Sequence, residues 1–361
     1  MGNRTAPSGA VVDELCTRDL LPSANDNLDL VARRLVSDLH TPTPAIFWAD
    51  LVSSALIGWT AFATAVTAPF SPVVLAAFVI AALALYRGVV FTHELSHIRR
   101  HALPGFETAW NLIFGVPLLL PSFTYVGVHQ SHHNLATYGT TADPEYLPFA
   151  SSRRLMIAFG LQSALLLPVL LVVRFLVLAP IGLLWPRFHR SLETHASSFS
   201  MNPQYRRDVS PETAIGMRRW EAVTFVVWAS GAALFAAGMI PARFPLVWMA
   251  VLVAISLLNT LRVLGAHEYV SDGRPRSREE QLKDSIDTPG GPWTELWAPV
   301  GLRYHALHHY FPGIPYHNLG SAYKRLIANL PSTSPYRGST SPSLRASLSK
   351  LYARAKRGRS A

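Results

Sequence analysis

The chain has 361 residues, of which 50% are hydrophobic and 15% charged, against about a quarter charged in ordinary soluble domains. That deficit and a positive mean hydropathy predict an integral membrane protein rather than two soluble domains. The net charge of +10 lies between the apolar stretches and near the C-terminus, as basic cytoplasmic loops would place it; no separate basic module suggests nucleic-acid binding, and the single cysteine, Cys16, excludes an intrachain disulfide or a four-cysteine metal site.

In chain order, residues 1–43 are polar and mixed in charge, which predicts a cytoplasmic N-terminal segment and no secretory signal. A bilayer core about 30 Å thick takes about 20 apolar residues in a helix. Pro44 to Val66 and Val73 to Phe91 meet that standard, the second interrupted only by Arg87. Trp110 to Tyr125 is short and holds Pro117 and Pro121, so a re-entrant or interfacial piece is expected. Leu155 to Trp185 is longer, but Pro168, Arg174 and Pro180 interrupt it, and an arginine inside a membrane is costly. Bent interfacial helices are expected there. After a basic loop over 187–219, Trp220 to Ile240 and Leu246 to Gly265 form a hairpin across the link Pro241–Pro245. Residues 268–295 are polar and turn-rich, and 331–361, rich in Ser, Pro, Lys and Arg, are expected to be a basic, disordered tail. The expected fold is all-α, with about four transmembrane helices in a domain over 44–330 and a cytoplasmic cap carrying the histidines.

Of 14 histidines, eight fall into three tight groups: His93-Glu-Leu-Ser-His97, His129-Gln-Ser-His132-His133 and His305-Ala-Leu-His308-His309. His267 stands alone just past the last span. Residues four apart share a helix face, with Cβ atoms about 5–6 Å apart. His93 and His97 can therefore bind one metal together. In HxxHH two histidines can grip one metal while the third turns to a neighbour. Nine imidazoles exceed the four ligands of a tetrahedral zinc and suffice for two metals of higher coordination. Imidazole suits iron, copper and zinc, so ligand type alone does not choose among them. His40, His189, His195 and His317 stand singly and read as structural. His101, four past His97, extends the same stripe, and Glu94, Asp143 and Glu268 are placed to orient imidazoles from outside.

Two rivals compete. His93-Glu94-Leu95-Ser96-His97 also matches the HExxH helix of zinc proteases, where the glutamate is the general base. That reading leaves both HxxHH groups idle. A metal transporter would place its histidines along a path between spanning helices, whereas these follow the helices near polar loops. A shared site also demands one side of the membrane, which the two-span, interface, hairpin scheme supplies.

The order HxxxH, HxxHH, HxxHH among these spans resembles the membrane fatty-acid desaturase and hydroxylase superfamily over residues 45–327. The strings Thr92-His-Glu-Leu-Ser-His97, Gly127-Val-His-Gln-Ser-His-His133, Asp143-Pro-Glu-Tyr146 and Leu302-Arg-Tyr-His-Ala-Leu-His-His309 are similar to bacterial fatty acid desaturases. The resemblance implies a di-iron centre held by His93, His97, His129, His132, His133, His305, His308 and His309, with His267 as the added ligand after the hairpin. It implies O2 as co-substrate and desaturation of a fatty acyl or lipid chain in the inner membrane, with the boxes facing the cytoplasm. The short first box with its glutamate also resembles alkane hydroxylases. Hydroxylation of alkyl, carotenoid or sphingolipid chains is therefore the alternative. A separate ferredoxin or cytochrome with its reductase is the expected electron donor, because Thr288-Pro-Gly-Gly291 lacks the histidine of a fused cytochrome b5 string.

Overall fold

Within a bilayer, backbone polar groups must be satisfied inside the chain, which favours helices. The computed structural model describes residues 24–358, and among these no strand forms beyond isolated bridges. Cys16 and most of the N-terminal segment lie outside the described residues.

Helix α1 (Ala24–Val36) leads into a hairpin of α2 (Pro44–Thr67) and α3 (Pro72–Leu95). Both hairpin helices begin on proline, where the missing N–H costs nothing. Leu56, Ile57, Val73 and Val79 are exposed on their outward faces, as a lipid-facing surface requires. The short α4 (Phe106–Trp110) runs into a π turn over Asn111–Gly115 and then breaks, so 110–125 forms no helix of spanning length. Three indoles satisfy its irregular backbone. Trp59 donates to the Ile113 carbonyl at 3.0 Å, Trp228 to Val116 at 2.9 Å and Trp248 to Pro117 at 2.9 Å. Protein donors thus replace the water that a membrane interior lacks. The piece packs tightly on α3, since a Cβ on Gly88 would come within 2.0 Å of the Phe114 ring.

Helix α5 (His129–His133) carries the second box. The next segment, expected as bent interfacial helices, is one continuous helix, α6 (Arg153–Leu184), which by length and composition alone could cross a membrane. π turns over Gln162–Leu166 and Val173–Leu178 precede Pro168 and Pro180, and such widened turns accommodate a proline ring without breaking the helix. Arg174 is tolerated because it pairs with Glu221 and donates to the Ala196 carbonyl at 2.6 Å. Beyond α6, the polar α7 (Pro186–His195) leads to residues bonded to the histidine end: Phe199 N donates to Thr124 O at 2.8 Å and Met201 N to Pro144 O at 2.9 Å. The chain on both flanks of α6 therefore lies at that end.

Helices α8 (Pro211–Ala236) and α9 (Phe244–Leu264) make the second hairpin. By length and composition the four candidate spans are α2, α3, α6 and α9. Helix α8, expected as a span over 220–240, starts earlier and takes Arg218, Arg219 and Glu221 into its first half, which dilutes its apolar character. Arg243 donates to the Ala68 carbonyl at 2.6 Å, so the two hairpin tips lie together. Their other ends bring His93 and His267 to one place.

The cap contains α10 (Arg278–Asp284), α11 (His305–Tyr310), α12 (Tyr316–Asn329) and α13 (Leu344–Arg357). The stretch from 331 to 358, expected to be disordered, is folded: Tyr336 is buried and hydrogen-bonded to Asp287, and Leu351 of α13 packs among Tyr146, Phe149 and Tyr269. Composition misleads there because α13 keeps its apolar residues on one inward face and its cations outward.

Candidate metal centre

Four pieces of chain converge on the centre. The end of α3 delivers His93, and the turn after it delivers His97, with ring centroids 5.1 Å apart. Helices α5 and α11 deliver the HxxHH boxes, and the chain leaving α9 delivers His267. The nine imidazoles expected from the sequence form two groups, within each of which the candidate donor atoms lie within 4.8 Å of one another. His93, His97, His129, His133 and His308 make the first group; His132, His267, His305 and His309 make the second. Each HxxHH helix divides its histidines. The outer pair of α5 and the middle histidine of α11 go to the first group, and the reverse goes to the second.

These donors face one another. His129 and His133 Nε2 are 2.9 Å apart, and His133 and His308 Nε2 3.1 Å apart. In the second group His267 Nε2 lies 3.2 Å from His132 Nε2 and 2.8 Å from His305 Nε2, and His305 Nε2 is 3.1 Å from His309 Nε2. A neutral imidazole carries one proton, and rings bonded elsewhere at Nδ1 have only a lone pair to offer at Nε2. His132 Nδ1 is held by Asp143 at 3.0 Å, His129 Nδ1 by Glu145 at 2.7 Å, and His267 Nδ1 lies 2.9 Å from the Tyr138 hydroxyl. Converging lone pairs among buried rings are unfavourable unless a cation sits between them. The donor set therefore fits one divalent metal in each group.

The electrostatics agree. Burial, and then repulsion from neighbouring imidazoles, pushes His129, His133, His305, His308 and His309 well below the ordinary histidine range. Burial takes His97 down to about 4. These rings are neutral, the form that ligates. His132 runs the other way: burial pulls it down, but the Asp143 carboxylate outweighs that and raises it. A metal at Nε2 would satisfy Asp143 as the proton does.

The supporting residues sort unevenly. Asp143 orients His132, as the sequence suggested. Glu94 is buried: its Oε2 accepts the Tyr316 amide at 3.0 Å and fixes the start of α12, while its Oε1 lies 3.5 Å from His93 Nδ1, beside a ligand as the sequence suggested. Glu268 pairs with Lys350 and Arg354 of α13 and touches no histidine of the centre. His101 is exposed and belongs to neither group. Sequence reasoning missed Glu145, Tyr125, Tyr138 and Asp284. Tyr125 and Glu145 both hold His129, and Tyr138 links His267 to Asp284, the latter at 2.7 Å. The available signals were Tyr125 four before His129 and Glu145 inside the Asp143-Pro-Glu-Tyr146 string. Away from the centre, the lone His189 is structural: it is buried between Glu193 at 2.8 Å and Glu221 at 2.6 Å.

Beside His93 lies a cavity of about 220 Å³, its apolar wall built from Val89, Trp110, Leu120, Leu252 and Ile255. It offers an apolar chain direct access to the first histidine group.

Comparison with known proteins agrees with this architecture. The fatty acid desaturase family model matches residues 68–341. A ceramide hydroxylase of Caulobacter vibrioides (strain NA1000 / CB15N) is 40% identical over 327 residues, covering 90% of this chain and 92% of that protein. The chain belongs to the fatty acid desaturase family of membrane proteins and is an oxygen-dependent oxidoreductase.

Proposed function

We propose that the chain hydroxylates a ceramide-type sphingolipid, with one iron held by each histidine group. The observation that carries this reading is the 40% identity with a ceramide hydroxylase along 90% of the chain. It favours the hydroxylase alternative over acyl desaturation. The balanced reaction converts R–H, O2, two electrons and two protons to R–OH and water. The irons, when bound, supply O2 activation and oxidation of the C–H bond. The chain supplies the rest. Asp143, Glu145 and Tyr138 fix the histidine rings from outside. The apolar wall beside His93 holds the lipid and keeps water away. A separate one-electron carrier is part of the proposal, and the exposed cations of α13 suit an acidic one. The boxes are proposed to face the cytoplasm, the side that basic segments favour.

The test is expression in a ceramide-containing host under ¹⁸O2, with mass spectrometry of extracted sphingolipids. A ceramide product gaining one ¹⁸O atom is expected. Loss of two hydrogens without oxygen would restore the desaturase reading, and unchanged ceramide alongside altered glycerolipids would overturn the substrate.

A further inference from the structure

Three arginines are buried among the described residues: Arg174, Arg207 and Arg262. An ionisable group inside membrane-spanning structure is costly and normally paired. Arg174 has the Glu221 carboxylate. Arg207 gives its hydrogens to the carbonyls of Phe123, Ser197 and Val126. Arg262, near the end of α9 and 9% exposed, has neither arrangement. Its Nη2 donates to the Asn259 side chain at 2.9 Å, it lies beside the Tyr86 hydroxyl, and both partners are neutral. Its Nε has no acceptor. The buried Glu145 carboxylate, on the same cavity wall, attracts it from beyond hydrogen-bond reach. A buried guanidinium with an unused donor is expensive, and this arrangement leaves it room for a further acceptor.

The side chain that carries this donor lines the cavity. Arg262 lines it together with His93, and so do Asn259, Gln162 and Leu170. The last three are exposed, so the mouth lies between α6 and α9, on flanks that two candidate spans turn outward. At about 220 Å³ the cavity falls below the roughly 300–1,000 Å³ of sites that engulf a whole small molecule. It holds part of a lipid while the remainder stays in the bilayer. Guanidinium only donates, so the group it meets must be an acceptor.

We infer that Arg262 binds the amide carbonyl of the lipid substrate just inside this mouth, and that it distinguishes amide-linked lipids from chains without that acceptor. The inference rests on the sphingolipid reading above and deepens it. Asn259 holds the guanidinium in place, and the cavity wall also carries the polar side chains of Gln162 and Ser163. A neutral-to-charged hydrogen bond of this kind is worth roughly a ten- to hundredfold change in affinity.

The test compares equilibrium binding of two radiolabelled probes to the purified full chain in detergent: N-octanoyl-sphinganine, and its isostere with a trans alkene in place of the amide. The wild type is expected to prefer the amide by about tenfold or more. Arg262→Met is expected to lose that preference by weakening the amide probe alone, with its melting temperature retained; Arg262→Lys keeps part of the preference, and Asn259→Leu falls between. Equal loss of both probes in Arg262→Met and Arg262→Lys would assign the residue a structural role and overturn the inference. An unchanged preference in Arg262→Met would also overturn it, leaving the hydroxylase reading intact if the wild type oxidises ceramide. Arg262-dependent preference without ceramide oxidation would sink the hydroxylase reading and keep the amide site.

Discussion

His132 and His308 are the middle members of their boxes, and each crosses to the group opposite its two helix neighbours. Removing either tests the division directly. His132→Ala takes a four-histidine group to three and leaves the buried Asp143 without its partner; His308→Ala takes a five-histidine group to four. Both are expected to lose activity by more than about a hundredfold, beyond the range typical of outer-shell changes. Metal analysis of the purified chains should find less iron in His132→Ala than in His308→Ala. Full iron with full turnover in both would contradict the assignment. Outside the ligands, Asp143 and Glu268 read alike in the sequence, each an acid near a histidine, yet they are not equivalent. Both Asp143 oxygens lie 3.0 Å from His132 Nδ1 and also accept the Gly139 and Glu145 amides. Glu268, half-buried, faces two cations of α13 instead. Asp143→Asn is expected to weaken metal affinity or activity by roughly 10- to 100-fold. Glu268→Gln should leave both within about twofold, since its carboxylate bonds to α13 and to no ligand ring. Activity and iron titrations on the two variants check this, and equal effects would refute the distinction. Tyr125 and Glu145 escaped notice because orienting residues need only reach a ring nitrogen and obey no fixed spacing, whereas ligands on a helix must repeat at three or four.

At the scale of elements, α11 is only six residues long and cannot hold itself in place. Asp287 pins it. One oxygen accepts the Leu307 amide at 3.0 Å, the other the Tyr336 hydroxyl at 2.7 Å, and its own backbone pairs with Ser339 and Ser341. The third box is therefore fastened to the segment that composition marked as a tail. Burial, only partly offset by these donors, pushes the Asp287 carboxyl up to about 7. Between its ordinary range near 4 and 7 the folded chain holds a proton that the unfolded chain has released. Stability from this group is thus present at low pH and falls as pH rises through that window. In Asp287→Asn this slope should vanish, so the variant gains melting temperature relative to wild type from about pH 4 to about pH 7. A pH-independent difference between the two would refute the shift. Elements were legible where period and punctuation agreed. Pro44 opens α2 as the sequence predicts and α3 starts one residue before the predicted Val73, whereas Pro168 and Pro180, which suggest breaks, lie in a helix that absorbs them by widening its turns.

At the scale of the whole molecule, the fold rests on two hairpins pointing the same way. The Arg243–Ala68 bond joins their tips, and the histidines gather at the opposite end beneath the cap. This parallel arrangement makes one metal centre compatible with a membrane, and it requires that the chain before α6 and the chain after α7 meet the same end, as the Ala150–Tyr269 and Phe199–Thr124 bonds show. The sequence took 220–240 as a span and laid 155–185 at the interface because of Arg174; it could not see that Arg174 is satisfied by Glu221, 47 residues away. Sidedness follows. Phe70 is 77% exposed at one tip and Met239 is 72% exposed at the other, while Lys356 is exposed on α13 at the histidine end. In a Cys16→Ser background, single cysteines at Phe70 and Met239 should react with a membrane-impermeant maleimide from the outside of intact spheroplasts. A cysteine at Lys356 should react only after lysis. Phe70 and Met239 labelling from opposite sides would break the parallel pair of hairpins. Lys356 sharing a side with both would mean that neither hairpin spans, and the charge at that end would then have no bearing on orientation.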